Sequence, residues 1–452
     1  SIISTANAGD SDLDGIDDTL DICPYANGNA SQAEALGCPD SDGDGWADFQ
    51  NATTGAWEDS VQDYYVSLGS VVNAVAWHPD GMSYVAGGNG NEVEKFGVNG
   101  QSVSILLAGP NDINDLHFSP DGSKLAVAMD NGLMSVIDPY TGSNIYNFTI
   151  SLEDNIYCVQ FSHDNSKLYV GAENDTLYEI STTNWTQTNS KLFESGVYDI
   201  SLTPDDTHVL VATGHQASLL WADNLSIKEN FTDFDDTVGT VDIDATGRYF
   251  GVGSYNNWAY IFDLRNSTEV YAQNIGRNVR DVEFTPDSTV MLAASENTRA
   301  DAIILSNMSH AGTFGSFGSS GQNRGTRDLA IHPDGAMALV GMRRGRVSLH
   351  VIEEGYLMVE GGDLTYLSKQ KWRDGWPNDG RLLNTKNMTR DFATINICGG
   401  SGTIMTGVDG PSHAYTTELA NHSESGLLDC LTTSRQILEV PIGRYPAALV
   451  VK

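Results

Sequence analysis

From about residue 70 to residue 355, apolar and polar residues alternate in short runs that are separated by turn signals. Side chains at every second position of a strand share one face, so each run predicts a strand with one buried face. One unit contains a first run, a turn resembling Pro-Asp-Gly, a second run, a turn rich in glycine and asparagine, and a third run. Helix is predicted to be nearly absent.

The unit repeats along the chain. Measured at the turn aspartate, or at the threonine that replaces it, the copies lie 41 to 47 residues apart. These positions are Asp80, Asp121, Asp164, Asp205, Thr246, Asp287 and Asp334. Seven copies of a four-stranded unit at this period predict an all-β fold, a seven-bladed β-propeller.

Runs such as Lys167 to Ala172 and Trp258 to Leu264 resemble the blades of WD40-like and YVTN-type surface propellers. The resemblance covers residues 63–355. The Gly-His and Trp-Asp dipeptides of WD40 blades are missing, so the YVTN type is the closer match. Residues 64–68 precede the first blade, and they or residues 356–359 would supply the outer strand of the last blade; we favour the N-terminal segment.

Two ladders of aspartates occupy the N-terminal region, and each adjoins a Cys-Pro pair. Oxygen ligands at loop positions 1, 3, 5, 9 and 12, with glycine at 6 and a backbone carbonyl at 7, suit Ca²⁺. The first ladder offers Asp10, Asp12, Asp14, Ile16 (carbonyl), Asp18 and Asp21. The second offers Asp40, Asp42, Asp44, Trp46 (carbonyl) and Asp48, with Asn51 at position 12. We therefore expect Ca²⁺ as the bound metal.

These ladders resemble thrombospondin type 3 repeats over about the first fifty residues. The resemblance implies a calcium-binding arm over residues 1–55, with almost no hydrophobic interior. It also implies a disulfide between Cys23 and Cys38. Bare carboxylates at this density repel one another, so the arm is expected to unfold without divalent cations.

Residues 356–452 break the period and predict a small β-rich appendage. Strand-like runs cover residues 392–398, 403–408, 414–418, 436–440 and 447–451. Cys398 and Cys430 are the only cysteines of this segment, which predicts a second disulfide. Trp372 and Trp376 suit either a small core or a platform for carbohydrate, and the core interpretation is favoured.

The net charge and the glycosylation sequons bear on the cellular location of the protein. The net charge is −36, which makes nucleic acid an unlikely partner. Eleven Asn-x-Ser/Thr sequons are candidates for glycosylation: Asn29, Asn51, Asn147, Asn174, Asn184, Asn224, Asn230, Asn266, Asn307, Asn387 and Asn421. With calcium and disulfides, these predict an extracellular, cell-surface protein. No stretch reaches the length of a membrane span, and the chain opens on Ser1, as in a processed chain or a fragment.

Aspartate and cysteine in the first strands of the units are candidates for buried polar or reactive groups. Asp115, Asp199, Asp281 and Asp328 recur at one position, either as a ring of carboxylates near the channel or, the favoured interpretation, as turn caps within their own blades. Cys158 occupies the same column and is expected to be a free buried thiol.

No catalytic motif is found, so we expect no enzymatic activity. The favoured function is a structural or interaction subunit of a cell-surface assembly such as a filament, a surface layer or an adhesin. Its partners would be other copies of the chain, other surface proteins or glycans. All the net charge lies in residues 1–320, whereas Arg343, Arg344 and Arg346 belong to a balanced C-terminal part, which suggests head-to-tail self-association. The alternative is a secreted lactonase-like hydrolase with a metal at a channel mouth.

Overall fold

The architecture follows the predicted repeat. A computed structural model describes residues 10–41, 45–50, 60–98, 100–109, 111–232, 234–296, 299–314, 325–333, 335, 337–351, 356–360, 363–366, 402–408, 413–419, 436–439 and 449–451. Within these ranges the regular elements are strands, together with one 3₁₀ turn at Asp48–Gln50. No helix in the described residues is long and apolar enough to cross a membrane.

Strand β1 (Val61–Ser67) comes first, and six consecutive four-stranded sheets follow it. Blade 1 contains β2 (Val72–Trp77), β3 (Ser83–Gly88), β4 (Glu92–Gly97) and β5 (Ser102–Ala108). Blade 2 contains β6 (Ile113–Phe118), β7 (Leu125–Met129), β8 (Leu133–Ile137) and β9 (Asn144–Thr149). Blade 3 contains β10 (Ile156–Phe161), β11 (Lys167–Ala172), β12 (Thr176–Ser181) and β13 (Thr186–Leu192).

The second half of the ring has the same organisation. Blade 4 contains β14 (Val197–Leu202), β15 (His208–Thr213), β16 (Gln216–Trp221) and β17 (Ile227–Phe231). Blade 5 contains β18 (Val238–Ile243), β19 (Tyr249–Ser254), β20 (Trp258–Asp263) and β21 (Thr268–Asn274). Blade 6 contains β22 (Val279–Phe284), β23 (Val290–Ser295), β24 (Ala300–Ile304) and β25 (Ser309–Phe314).

Blade 7 is completed by the start of the chain. Its sheet has the order β1, β28 (Arg346–Val351), β27 (Met337–Met342) and β26 (Thr326–Ile331). Strand β1 pairs antiparallel with β28, with Ser67 opposite Arg346. The favoured N-terminal closure is therefore confirmed, and it leaves the ring without an open sheet edge at this junction.

The turn between the first two strands of each blade has one backbone geometry. At the same position in all seven turns, the residue has a positive φ between 53° and 77°. These residues are Gly81, Gly122, Asn165, Asp206, Gly247, Ser288 and Gly335. Glycine adopts this conformation without steric penalty, which explains why most of these turns read Pro-Asp-Gly or a close variant. The face that carries these turns is called the turn face below.

Blades approach closely at small residues of their second strands, as predicted. A Cβ atom on Gly171 would lie 2.4 Å from the Sγ atom of Cys158 and 2.5 Å from Cγ1 of Val197 in the next blade. Neither distance is tolerable, so glycine is required there for blades 3 and 4 to pack. Apolar clusters of this kind fill the space between successive blades and form the core of the ring.

Beyond blade 7 the described residues form two three-stranded sheets. One has the order β30 (Asp363–Tyr366), β29 (Tyr356–Glu360) and β33 (Gln436–Glu439). The other has the order β32 (His413–Leu419), β31 (Gly402–Val408) and β34 (Leu449–Val451). Strand β29 thus pairs within this region rather than with blade 7. The predicted run 392–398, Trp372, Trp376, Cys398 and Cys430 lie outside the described residues.

Candidate functional site

The two aspartate ladders fold into loops with the same internal contacts. In the first loop Gly15 has φ +97° and donates its backbone N–H to Oδ2 of Asp10 at 3.2 Å. The backbone N–H and hydroxyl of Ser11 both donate to Asp18, each at 2.8 Å. The first loop is therefore closed by its position-1 and position-9 aspartates.

The second loop repeats this geometry thirty residues later. Gly45 has φ +93° and donates to Oδ2 of Asp40 at 2.8 Å. Ser41 donates its N–H and its hydroxyl to Asp48, each at 2.7 Å. Asp42 and Asp44 lie outside the described residues, so the ligand set of this loop is described only through Asp40, Trp46 and Asp48.

In the first loop, carboxylates converge on one point. One oxygen from each of Asp10, Asp12 and Asp14 lies within 4.8 Å of the others. Asp10 Oδ1, Asp12 Oδ2 and Asp14 Oδ2 are buried atoms without a hydrogen-bond partner, and so is Oδ2 of the fully buried Asp21. Unpaired buried carboxylate oxygens are costly unless a cation compensates them. This donor set is all oxygen, as Ca²⁺ requires.

Burial dominates the electrostatics of this group. Burial, reinforced by the charges of Asp14, Asp21 and Asp10, raises the pKa of Asp12 to about 7. Burial also raises the pKa of Asp21 to about 6. Ser11 donates to both oxygens of Asp18, and Asp14 Oδ1 accepts the backbone N–H of Ile16 at 2.7 Å. That Asp18 and the carbonyl of Ile16 are calcium ligands stays a prediction.

The arm is not an isolated acidic segment, because it packs against the propeller. Cys23 and Cys38 form a disulfide, which is the pairing that the resemblance implied. Both cysteines are fully buried in one cluster with Ala35 and Phe49 of the arm and with apolar residues of blades 5 and 6. The ring of Phe49 meets that of Tyr249 edge-on at 5.1 Å. The implied absence of a hydrophobic interior is thus wrong for the described part of the arm, because blades supply that interior.

Tyr25 anchors the arm to blades 4 and 5 on the turn face, a role that the sequence did not signal. Its ring meets His208 edge-on at 4.9 Å, and the Nζ atom of Lys228 lies 4.7 Å from its centroid. The backbone N–H of Asp205, in a blade-4 turn, donates to the Tyr25 carbonyl at 3.1 Å. Arg248 and Arg265 of blade 5 donate to the carbonyls of Ile22 and Thr19, each at 3.0 Å. Side chains and backbone together fix the arm here.

The recurring aspartates of the inner strands line the channel and join neighbouring blades. Each accepts a backbone N–H from the inner strand of the next blade. The pairs are Asp115 with Val159 (2.8 Å), Asp199 with Val241 (2.9 Å), Asp281 with Leu329 (2.7 Å) and Asp328 with Val75 (2.6 Å). Asp115 and Asp199 also cap the N–H of the residue that follows them. The favoured prediction of caps within one blade is therefore incomplete, since the second oxygen bridges two blades.

A second layer repeats these bridges one step closer to the turn face. Asp242 accepts from Phe284 and Glu283 from Ile331, both at 2.8 Å. Burial raises the pKa of Asp242 to about 7 and that of Glu283 well above its usual value. Cys158 is a free buried thiol whose pKa burial raises, as expected for a structural residue.

The sequon asparagines within the described residues make hydrogen bonds inside the chain. Asn184, Asn224 and Asn307 each bond through Oδ1 to the Ser or Thr two residues later. The amide oxygen of Asn29 accepts the N–H of Asp40. The amides of the others bond nearby side chains: Asn147 and Asn230 to serines, Asn174 to Tyr178, and Asn266 to Asp263. Asn51, Asn387 and Asn421 lie outside the described residues. Glycosylation stays a prediction.

The basic cluster of blade 7 is partly engaged within the chain. Arg343 donates to Glu296 at 2.8 Å, and the guanidinium of Arg346 lies 4.2 Å from the ring centroid of Tyr65. Head-to-tail association through these arginines stays a prediction.

Comparisons with known proteins match the propeller. A family profile described as the WD40 domain of anaphase-promoting complex subunit 4 matches residues 89–164. WD repeat-containing protein 1 of Gallus gallus is 29% identical over 157 residues, which are 34% of this chain and 26% of the relative. The proteins of the same name from Bos taurus and Rattus norvegicus are both 25% identical, over 37% and 36% of this chain. The matches span little more than a quarter of each relative's length.

These findings correct one prediction. The expected extracellular, cell-surface location is wrong, because the relatives found are WD repeat-containing protein 1 of three vertebrates. Acidic charge and sequon number describe the composition of a surface and do not fix a compartment. The chain is a seven-bladed β-propeller, and residues 89–164 of it are similar to a WD40 domain.

Proposed function

We propose that this chain is a protein-interaction scaffold whose N-terminal arm is fixed to blades 4 to 6 by Ca²⁺. The scaffold role is supported by the WD40-like propeller and by the WD repeat relatives, which agree with a protein that is not an enzyme. The observation that carries the calcium part is the convergence of unpaired carboxylate oxygens from Asp10, Asp12 and Asp14.

A short segment of the arm links the first aspartate loop to the residues that pack against the blades. Asp21, whose Oδ2 atom is unpaired, also accepts the backbone N–H of Cys23 at 2.7 Å. Cys23 is buried against blades 5 and 6, and Tyr25 follows two residues later. A cation held by the first loop would therefore order the residues that dock. Its loss would leave four unpaired carboxylates that repel one another.

The alternative hydrolase finds less support. It requires Glu, Asn, Asp and His side chains that converge on a cation at a channel mouth. Within the described residues, the carboxylate group that could hold a metal lies in the arm and not in the channel. The channel carboxylates instead accept backbone N–H groups from neighbouring blades.

Calorimetric titration with Ca²⁺, followed by limited proteolysis, tests the proposal. We expect the double variant Asp12→Asn/Asp14→Asn to lose calcium binding and to be cut within residues 10–50 while the propeller stays intact. Asp17→Asn is the matched control, because Asp17 lies in the same loop but is bonded to Thr19. An arm that resists protease equally with calcium and with chelator would refute the proposal.

A further inference from the structure

The face of the ring opposite the turn face carries a sector of positive charge on blades 6 and 7. This opposite face is formed by the loops that join the second strand of each blade to the third, and by the loops that join one blade to the next. In and beside these loops, blades 6 and 7 present four exposed arginines: Arg277, Arg299, Arg344 and Arg346. We call these four residues the basic sector. They belong to a chain whose net charge is −36.

Neighbouring side chains order the surface around the basic sector. Arg346 lies against the ring of Tyr65, with its guanidinium 4.2 Å from the ring centroid. Closer to the channel, Arg280 and Arg343 donate to the same oxygen of Glu296, at 3.0 Å and 2.8 Å. Glu296 is the only acidic residue in the described loops of these two blades on this face. It therefore pairs with the less exposed arginines beneath the sector.

The remainder of the opposite face has the other sign of charge. The corresponding loops of blades 2 to 5 contain acidic residues and no lysine or arginine. These acidic residues include Asp112, Asp130, Glu153, Glu173, Glu194 and Asp236. A membrane or a nucleic acid that lay flat on this face would meet these carboxylates as well as the arginines. The basic sector therefore suits a compact acidic partner that covers only two blades.

An acidic element of this kind lies on the turn face of the same chain. Residues 10–50 contain eleven acidic and no basic residues, so the arm stays negative even with a Ca²⁺ ion in each loop. The arm packs on blades 4 to 6, where Tyr25 lies against the turn residues Asp205 and Gly247. One face of the ring thus presents a negative surface, and the other presents a positive one.

Charge alone would not hold two copies together, because exposed ion pairs contribute little free energy. Both surfaces also offer apolar side chains. On the arm, Leu13 is 72% exposed and Leu20 is 65% exposed. On the other face, Tyr65 is 51% exposed beside Arg346. Apolar contacts can therefore supply affinity, while the charges select which surfaces meet.

We propose that the arm of one copy of this chain binds the basic sector of the next copy. The inference rests on the proposed function, because it uses the arm that calcium orders, and it identifies a partner of the scaffold. The two surfaces lie on opposite faces of the ring, so two copies cannot make this contact twice. Each copy in a pair leaves one arm or one basic sector open, and such a heterologous contact extends into an open stack.

Sedimentation velocity of the full chain at saturating calcium tests this inference. We expect the mean mass to rise with protein concentration beyond that of a dimer, and to fall between about 0.05 M and 0.5 M salt as the charges are screened. Arg344→Glu/Arg346→Glu, and separately Arg277→Glu/Arg299→Glu, should each weaken association about tenfold or more, because like charges then face each other.

Lys124→Glu/Lys191→Glu is the matched control. It changes the net charge by the same amount as each sector variant, but in blades 2 and 3 and outside both surfaces. It should change the association constant by less than about twofold, as isolated surface charges do. Melting curves establish that each variant is folded.

A mixing experiment tests the direction of the contact. Leu20→Lys/Glu34→Lys alters the arm at two exposed positions that are not predicted calcium ligands, and it should weaken association as the sector variants do. At concentrations where neither variant associates alone, this arm variant mixed with Arg344→Glu/Arg346→Glu should form one-to-one dimers and nothing larger. Each variant then supplies the surface that the other lacks.

A parent chain that stays monomeric, association indifferent to both sector variants, or a mixture that forms no dimer overturns the inference. A monomer that binds vesicles of phosphatidylserine would assign the basic sector to a lipid surface, and this result also overturns it. Protection of the arm from protease by calcium is measured on the same samples. Failure of stacking is therefore distinct from failure of the proposed function.

Discussion

The backbone N–H of Val75 in blade 1 donates to the carboxylate of Asp328 in blade 7 at 2.6 Å, across 253 residues of sequence. On the inner side of the ring, this bond joins the first complete blade to the last one. Strand β1 makes the corresponding junction on the outer side. The ring is therefore closed on both its inner and its outer side.

Asp328→Ala should lower the free energy of unfolding by about 2 kcal/mol, because a buried acceptor is lost and the backbone N–H of Val75 is left unpaired. Asp328→Asn keeps one acceptor oxygen and should cost less than half as much. Urea denaturation followed by tryptophan fluorescence measures both. If the two variants are equally stable, the bond to Val75 contributes nothing.

The stability of the propeller should rise as the pH falls from 8 towards 5.5. Burial raises the pKa of Asp242 to about 7 and that of Asp115 and Asp281 to about 6. A carboxyl group whose pKa is raised in the folded state takes up a proton on folding, so its contribution is lost as the pH rises through that pKa. Melting temperatures at saturating calcium would show this trend.

Asp242→Asn should flatten the same pH profile, since it removes the group with a pKa near 7. Asp121→Asn is the control, because hydrogen bonds from Ser119 and Ser123 keep the pKa of Asp121 below its usual range. A profile of unchanged slope in Asp242→Asn would contradict the assignment of the pH effect to the channel.

Tyr25→Ala should release the arm from the propeller. The side chain is 8% exposed and contacts His208 and Lys228, and truncating an aromatic residue at such a position costs about 3 kcal/mol. Hydrogen exchange of the amides in residues 10–50 should accelerate, with little change in the blades. Leu20→Ala provides the comparison: Leu20 is 65% exposed, so that variant should exchange like the parent.

Ser288→Gly should be more stable than Ser288→Ala by about 1 kcal/mol. Ser288 has φ +53°, a conformation in which a Cβ atom is unfavourable. Both variants remove the hydroxyl, so their difference isolates the backbone. Thermal unfolding of the pair measures it, and an alanine variant of equal stability would show that the turn relaxes.

The local part of this fold was readable from the sequence. The turn residues from Asp80 to Asp334 recur at a nearly constant period, and each specifies its own hairpin without reference to the rest of the chain. The first loop was readable for the same reason, because Asp10, Asp12 and Asp14 are near neighbours in the sequence.

Contacts between distant segments could not be predicted from the sequence. Tyr25 carries no motif, and its site on His208 and Lys228 exists only when blade 4 has folded. The sequence shows that the aspartates recur at the same position of several inner strands. That recurrence does not show that each carboxylate reaches the next blade. Arg280 of blade 6 and Arg343 of blade 7 donate to the same oxygen of Glu296, and only the ring brings them together.

The origin of β1 also sets an order of events during synthesis. Residues 61–67 leave the ribosome before any blade but have no partner until residues 346–351 emerge. The arm likewise cannot dock until blades 4 to 6 have been synthesised. Blades 1 to 6, in contrast, can form their sheets in succession. A nascent chain that stops before residue 346 would therefore carry an unpaired N-terminal strand and an unclosed ring. A chaperone that shields residues 61–67 during translation would protect a strand whose pairing cannot begin early.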